Sequence, residues 1–498
     1  MDLVNARTAL YGGKRVAVLP SGQIILLCLL FGVGVTVILS TIEQAALNTV
    51  ILLGFVSVTG LALCRKTQIH LNDVNLKVLG YFWLIKLCLT LFLLYAGWIP
   101  LLDPQTSTKW GYDPQRYYVQ AKDLIDIGWR PTFVNLKYGG VLYYYAIIYY
   151  LIGFNPVIPA LINSFVTLIA ALYLIKMGYE VKRRRSPHDW TIAFALLLPE
   201  MVWYDVMTSR ETLMAALLIF SLLTVGRYLI RSSRITLTFV LTIVGSSMLI
   251  MAAVRTSMLL AVFLAFILMI LLVRSRRRQW NPMGVWLMSA VVIAALVGSS
   301  LIASRLGGYN FSFDTAIQAA TEGKYNIASQ LSDKYWGARS IGELLIPNGP
   351  LQSLLFVVPR MILYLIAPLP KIDMSITGMM AGDWQDWQSL FTLLGSIVNI
   401  IAIPYVLASL IQAFYSRKTN PGPLMLHIAY WATFASIAGG NFILQERYRV
   451  MAVMLLYLCA WLGVNCCSKR LVIQTSIAWY GLLVAGATFY ISYKVLLA

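Results

Sequence analysis

Charge is scarce in this chain, and acid is scarcer than base. Of 498 residues only 12% are charged, with 20 acids against 39 bases. A soluble globular domain carries about twice that charged fraction, so a water-exposed enzyme or binding module is excluded. Histidine is almost missing. His70, His188 and His427 are the only three, they show no ligand spacing, and each reads as a loop or core residue, which removes a histidine-built zinc centre. The six cysteines (Cys28, Cys64, Cys88, Cys459, Cys466, Cys467) lie in or at the ends of apolar runs, and none falls in the long polar connections. Neither a disulfide framework nor a metal cage is expected from them. Repeats, linkers and low-complexity tracts are absent too, which leaves no sign of a soluble second domain.

What fills the chain is hydrocarbon: 59% hydrophobic residues and a mean hydropathy of +0.75. Apolar runs of spanning length, each bounded by charge or by Gly and Pro, predict an all-α polytopic membrane protein, one domain over residues 1–498. About thirteen spans are expected, at 23–40, 45–63, 78–97, 157–177, 188–206, 210–229, 235–252, 256–273, 283–303, 388–414, 422–440, 449–466 and 472–494. Arg7, Lys14 and Arg15 precede the first run and no small-residue cleavage site follows it, so that span is expected to be retained.

A net charge of +19 in a soluble chain would suggest nucleic acid. In a membrane chain the placement of the charge decides, and here nucleic acid is not an expected partner. Arg65/Lys66, Lys182–Arg185, Arg227/Arg231/Arg234, Arg274–Arg278, Arg417/Lys418 and Lys469/Arg470 form basic clusters with almost no acids beside them, which marks cytoplasmic loops and a cytoplasmic N-terminus. The connections 98–156 and 304–387 hold most of the acids and are expected on the outer side. The first is read as a loop with interfacial helices, the second as a small cap. Two apolar segments inside them, 140–154 and 351–370, would invert the charge pattern if they crossed, so the first is expected to lie in the interface and the second to be interfacial or re-entrant.

The stretch "KWGYDPQRYYVQAKDLIDIGW" (109–129) is the polar anomaly of the chain. Asp113 before Pro114 suits the start of a helix, with Asp113 as its N-cap. Elsewhere Lys86 and Glu200 fall inside predicted spans, a costly position unless they pair, with each other for instance, or face a wet cavity. Asp205, Arg210 and Glu211 sit at the outer end of the hairpin "LLLPEMVWYDVMTSRETLMAALLIF" (196–220), lining that cavity or solvating the turn. Arg447 and Arg449 stand at the mouth of a late span on the outer side, against the charge trend. Each is read either as a snorkelling anchor or as a phosphate ligand, with Arg210, Arg255 and Arg360 as weaker members of the same set. Tyr112, Tyr117, Tyr118, Tyr143, Tyr144, Tyr145 and Trp129 fit an interfacial belt or stacking on sugars or isoprenoid. "AGDWQDWQ", with Asp383, Trp384, Asp386 and Trp387, fits an exposed turn or a saccharide contact.

Three segments taken in order resemble the GT-C superfamily of membrane glycosyltransferases, in its protein-mannosyltransferase-like and aminoarabinose-transferase-like members. They are D-x-x-x-Y-x-x-x-A at 113–121 followed by a Tyr-rich helix ending "GFNP", the hairpin at 196–220, and "GGNFILQERYRVMAVMLLYLCAWLG" at 439–463. The resemblance covers roughly residues 80 to 470. It implies transfer of a sugar from a polyprenyl-phosphate carrier to a glycan, glycolipid or protein acceptor on the outer face of a bacterial cytoplasmic membrane. It implies Asp113 as the base, with Asp103 as the competing carboxylate, and the arginines at the leaving phosphate. Some members use a divalent cation such as Mg or Mn, for which Asp113 with Asp205 or Glu211 are the available oxygens. The family often has a second acid beside its first-loop Asp, where this chain has Pro114. Competing readings are a polysaccharide polymerase or ligase using undecaprenyl-diphosphate-linked glycan, and a lipid or sugar transporter or flippase.

Overall fold

The computed structural model describes residues 44–99, 113–129, 139–182, 186–230, 236–255, 257–274, 290, 352, 355–366, 374–417, 419–440 and 448–497. Asp103, Tyr112, Arg447, the expected span 23–40, nearly all of 283–303 and most of the 304–387 loop lie outside them. Every regular element among the described residues is helical. We number the α-helices α1 (Gln44–Leu71), α2 (Val78–Leu93), α3 (Asp113–Asp126), α4 (Gly139–Ile152), α5 (Val157–Val181), α6 (Pro199–Val206), α7 (Glu211–Ile230), α8 (Leu237–Arg255), α9 (Ser257–Arg274), α10 (Val357–Ile366), α11 (Ile376–Met380), α12 (Trp384–Ser416), α13 (Gly422–Gly440), α14 (Val450–Cys466) and α15 (Lys469–Leu497). Seven helices among the described residues are long and apolar enough to cross a membrane: Leu47–Leu71, Val74–Trp98, Val157–Val181, Glu211–Leu229, Leu237–Arg255, Trp384–Ser416 and Lys469–Phe489.

Small residues set the helix spacing. In a membrane no water is released when helices meet, so close backbone approach and polar contacts must hold them together. Trp83 of α2 packs on Gly60 of α1, and Gly140 of α4 lies against the Ala253 carbonyl of α8. Gly463 of α14 leaves no room for a methyl group against the Tyr405 backbone of α12. A Gly463→Ala variant is therefore expected to push these two helices apart, at a cost of about 1–3 kcal/mol, read as a lowered melting temperature of the detergent-solubilised protein.

The 33-residue α12 carries Pro404 in its interior. A proline there removes the hydrogen bond to the carbonyl four residues earlier. That carbonyl, of Ile400, accepts from Trp479 Nε1 of α15 at 3.1 Å, and Thr475 Oγ1 of the same helix donates to the Pro404 carbonyl at 2.9 Å. The irregular point of α12 thus becomes the docking point of α15.

The segment expected as one span at 188–206 is broken. Residues Asp189–Leu197 form a 3-10 helix, Leu198 turns out of helical geometry at ψ 122°, and Pro199 opens α6. The pieces rise about 18 Å and about 12 Å, together close to a hydrocarbon thickness. Cross-helix donors serve carbonyls of the 3-10 stretch: Tyr457 Oη reaches the Thr191 carbonyl at 2.7 Å and Trp461 Nε1 the Asp189 carbonyl at 3.3 Å.

One end of the bundle is clasped by ion pairs. Arg227 Nε and Nη2 grip both oxygens of Glu180 at 2.8 and 2.6 Å, Lys182 pairs with Asp189, and Tyr179 Oη donates to Asp73 Oδ2 at 2.8 Å. Lys182 and Arg227, members of two of the basic clusters, lie at this end. The opposite end gathers α3, α4, the 207–210 turn and the adjoining ends of α2, α8, α10, α12, α13 and α14, and it holds the described site candidates.

Candidate functional site

Among the described residues helix α3 runs Asp113–Asp126, with Asp113 in its first turn, and it buries a single stripe of Pro114, Tyr117, Ala121 and Leu124. That spacing of three to four residues makes it an amphipathic helix lying on α4. Tyr118 packs tilted on Phe154 with ring centroids 4.6 Å apart and edge-on to Tyr149 at 5.7 Å. Trp129 stacks on Tyr143 at 6.3 Å, and Tyr144 meets Tyr145 at 4.9 Å. The Tyr118–Tyr149 and Trp129–Tyr143 contacts bind α3 and the residues after it to α4. Asp113 itself is half-buried at the head of α3. About 15 Å along the same helix, Asp123 is held above the ordinary carboxylate range, first by partial burial and then by neighbouring Asp126.

Helix α4 is tied to the next element by hydrogen bonds. Tyr145 Oη donates to the Ser209 carbonyl at 2.6 Å and accepts from Asn163 Nδ2 at 3.1 Å; Asn163 Nδ2 also reaches the carbonyls of Met207 (3.0 Å) and Asp205 (3.3 Å). The 207–210 turn is thereby pinned beneath α4. Arg210 and Glu211 open α7 from this turn, both buried, with Nε and Oε1 3.9 Å apart.

Asp205 neither solvates the turn nor lines an open surface. It is completely buried, its Oδ2 lies 2.5 Å from Lys86 Nζ, and its Oδ1 accepts from Thr167 Oγ1 at 2.7 Å and Thr212 Oγ1 at 2.8 Å. With both oxygens held in this way, a cation bridged by Asp113 and Asp205 does not fit. Among the described residues there is no group of three or more His, Cys, Asp or Glu side chains suited to a metal.

The expected pairing of Lys86 with Glu200 is corrected by the same geometry: Lys86 belongs to Asp205, and Glu200 belongs to Arg449. Arg449 Nε donates to Glu200 Oε1 at 2.5 Å, Nη1 to the Tyr364 carbonyl at 2.8 Å, and Nη2 to the Thr392 carbonyl at 2.9 Å and Ser396 Oγ at 2.8 Å. One guanidinium therefore joins α6, α10 and α12 at the start of α14. Gly395 makes this possible, since a methyl group there would stand 2.5 Å from the Glu200 carboxylate. Glu200 reaches its place because Pro199 restarts the helix just before it. A proline suits the first turn, where its missing N–H is no loss, and the carboxylate gains from the helix N-terminus.

The remaining candidates separate. Arg255 lies over the Tyr448 ring at 4.3 Å, joining the end of α8 to the approach of α14. Arg360 is fully buried in α10, Val357–Ile366 among the described residues. Asp383 caps α12 by accepting from Gln385 N at 2.8 Å, and Asp386 Oδ1 accepts from Ser375 N at 2.9 Å. Asp386 thus holds the start of α11 to α12, while Asp383 serves its own helix, with Trp384 half-buried beside them. Trp387 packs edge-on to Phe92 at 5.7 Å.

Sequence reasoning missed the uncharged partners: Asn163, Thr167, Thr212, Tyr364, Thr392 and Ser396. The first two carried a signal, because Asn163, Ser164 and Thr167 put three polar groups within little more than one turn of the apolar α5, as interhelical hydrogen bonding in a membrane requires. Comparison of the chain with protein-family models, with curated proteins and with solved structures found no match.

Proposed function

We propose that this protein is a glycosyltransferase of the GT-C type that takes a sugar from a polyprenyl-phosphate carrier and adds it to a glycan, glycolipid or protein acceptor. It works on the outer face of a bacterial cytoplasmic membrane, in cell-envelope polysaccharide or glycolipid assembly. The observation that carries the reading is the position of Asp113. It heads an amphipathic helix seated on the Tyr-rich α4, and α4 is bonded through Tyr145 to the turn that presents Arg210 and Glu211, at the end away from the basic clasps. A carboxylate at that surface meets both a lipid-borne donor and a water-borne acceptor.

The acceptor hydroxyl attacks the anomeric carbon while the bond from that carbon to the phosphate oxygen breaks. Asp113 takes the hydroxyl proton, the polyprenyl phosphate leaves with the bonding electron pair, and the anomeric configuration inverts. Asp103 is the alternative base, and Arg447 stands with Arg210, Arg255 and Arg360 among the cations for the leaving phosphate.

The test is the glycan profile of membranes carrying Asp113→Asn against wild type at matched expression. Loss of one sugar addition with accumulation of the lipid-linked donor is the expected result, and an unchanged profile reduces Asp113 to a helix start. The buried arginines favour a second reading, a polymerase or ligase acting on undecaprenyl-diphosphate-linked glycan. That enzyme relies on cations, so it loses its product in Arg447→Ala while tolerating Asp113→Asn. A transporter or flippase has less support, since the two mid-span charges it would use, Lys86 and Glu200, are each tied in an ion pair.

A further inference from the structure

Four helices meet at the clasped end of the bundle and leave a narrow crevice between them. The closing turns of α5, α7 and α9 and the first turns of α13 wall it, and it holds about 210 Å³ of empty space, its open mouth included. Asn420 Nδ2 donates to the Val181 carbonyl at 3.0 Å, which ties the start of α13 to the end of α5. Gly422 permits the close approach of α13, since a methyl group there would stand 2.9 Å from Val181. Gly226 of α7 does the opposite. A methyl group on it would meet only Met425, at 3.9 Å, so the missing side chain leaves room. Met177, Met269 and Met425 line the crevice together with leucines, and no polar side chain does. Water finds no hydrogen-bond partner in such a space, whereas flexible methionine side chains adapt to an apolar guest.

Each of these helices is joined to a basic connection. Lys182–Arg185 follow Val181, Arg231 and Arg234 follow α7, Arg274 and the three arginines after it begin about one and a half turns beyond Met269, and Arg417 and Lys418 precede Gly422. No acid occurs in the connections 182–188, 231–236, 275–282 or 417–421. Glu180 and Asp189, which flank the first of them, are already paired with Arg227 and Lys182, while Arg417 is exposed. The surplus around the apolar opening is therefore positive. An anionic headgroup with hydrocarbon attached matches both parts, and basic pockets between spanning helices are the kind of place where such headgroups bind.

We propose that this crevice seats one anionic phospholipid from the basic side of the membrane, with methylenes of one acyl chain beside Gly226 and the phosphate among the basic connections. The seat lies at the end of the bundle opposite the described site candidates, and it does not depend on the glycosyltransferase reading.

The experiment uses the full chain, purified in detergent and stripped of lipid. Phosphatidylglycerol, phosphatidylethanolamine and inorganic phosphate are added separately, with binding followed by native mass spectrometry and melting temperature. Phosphatidylglycerol is expected to bind the wild type at one saturable site and to raise its melting temperature. Gly226→Leu grows a side chain into the crevice, so it is expected to bind about tenfold more weakly or worse while melting no lower than lipid-free wild type. The triple variant Arg183→Gln/Arg184→Gln/Arg185→Gln, at positions outside the described residues, leaves the lining unchanged and removes headgroup charge. The same loss of about tenfold or more is expected from it.

Equal binding of phosphatidylethanolamine overturns the assignment to an anionic lipid, and equal protection by inorganic phosphate overturns the seating of a chain. Undiminished binding of phosphatidylglycerol to Gly226→Leu also overturns the seat. Should Gly226→Leu fail to fold, the triple variant decides, because unchanged binding there removes the role of the basic connections. A wild type that takes up no phosphatidylglycerol, its mouth closed by its own chain, overturns the proposal as well.

Discussion

Arg449→Ala is expected to cost about 3–5 kcal/mol and to leave little folded protein in the membrane, because it strands a carboxylate in a water-free interior. Glu200 is only 2% exposed, and three further acceptors, on Tyr364, Thr392 and Ser396, lose their donor in the same change. Glu200→Gln should be milder. It keeps the shape and removes one charge, while Arg449 keeps its carbonyl and hydroxyl partners. Melting in detergent by tryptophan fluorescence reads both variants. A ranking in which Glu200→Gln is the more damaging would mean that the carboxylate, and not the guanidinium, organises the junction of α6, α10 and α12.

Lys86→Met is expected to have a loss of the same size, again about 3–5 kcal/mol, by leaving Asp205 charged and buried against two threonines. The double variant Lys86→Met/Asp205→Asn is expected to recover most of it. Asparagine still accepts from Thr167 and Thr212 and carries no charge to neutralise. Non-additivity of this kind is the signature of a direct pair, and a double-mutant cycle on melting free energies measures it. Additive losses would show that Lys86 and Asp205 stabilise the protein separately.

Much of the frame is readable from hydropathy alone. Runs expected at 157–177, 210–229, 235–252, 422–440 and 449–466 become α5, α7, α8, α13 and α14 with ends shifted by a few residues. Asp113 and Pro114 stand in the first described turn of α3, and within 351–370 the described helix is Val357–Ile366. The run expected at 45–63 continues helical to Leu71, because Arg65 and Lys66 end the hydrocarbon stretch but do not break a helix. The 3-10 stretch at 189–197 was illegible for a related reason. Its apolar content fits either helix type, and the carbonyls it leaves exposed are served by residues of α14.

Pairing of charges was the least legible part of the site. Lys86 had Glu200 and Asp205 as acids of the same neighbourhood, five residues apart, and hydropathy cannot rank them. The pairing is decided by Pro199, which places Glu200 at the start of α6 toward α12 and leaves Asp205 at its far end toward α5. No count of charges per span contains that rotation.

The link between Glu200 and Arg449 also has a consequence for biogenesis. The two residues are 249 positions apart, and Tyr457 follows the Thr191 carbonyl it serves by 266. At a synthesis rate of about 5–20 residues per second, the arginine leaves the ribosome about 12 to 50 seconds after the glutamate. During that interval the broken span has neither its counter-ion nor the cross-helix donors for its 3-10 carbonyls. The fold is therefore completed from the C-terminal side, and a ribosome stalled before residue 449 leaves a half-helix that the insertion machinery must hold.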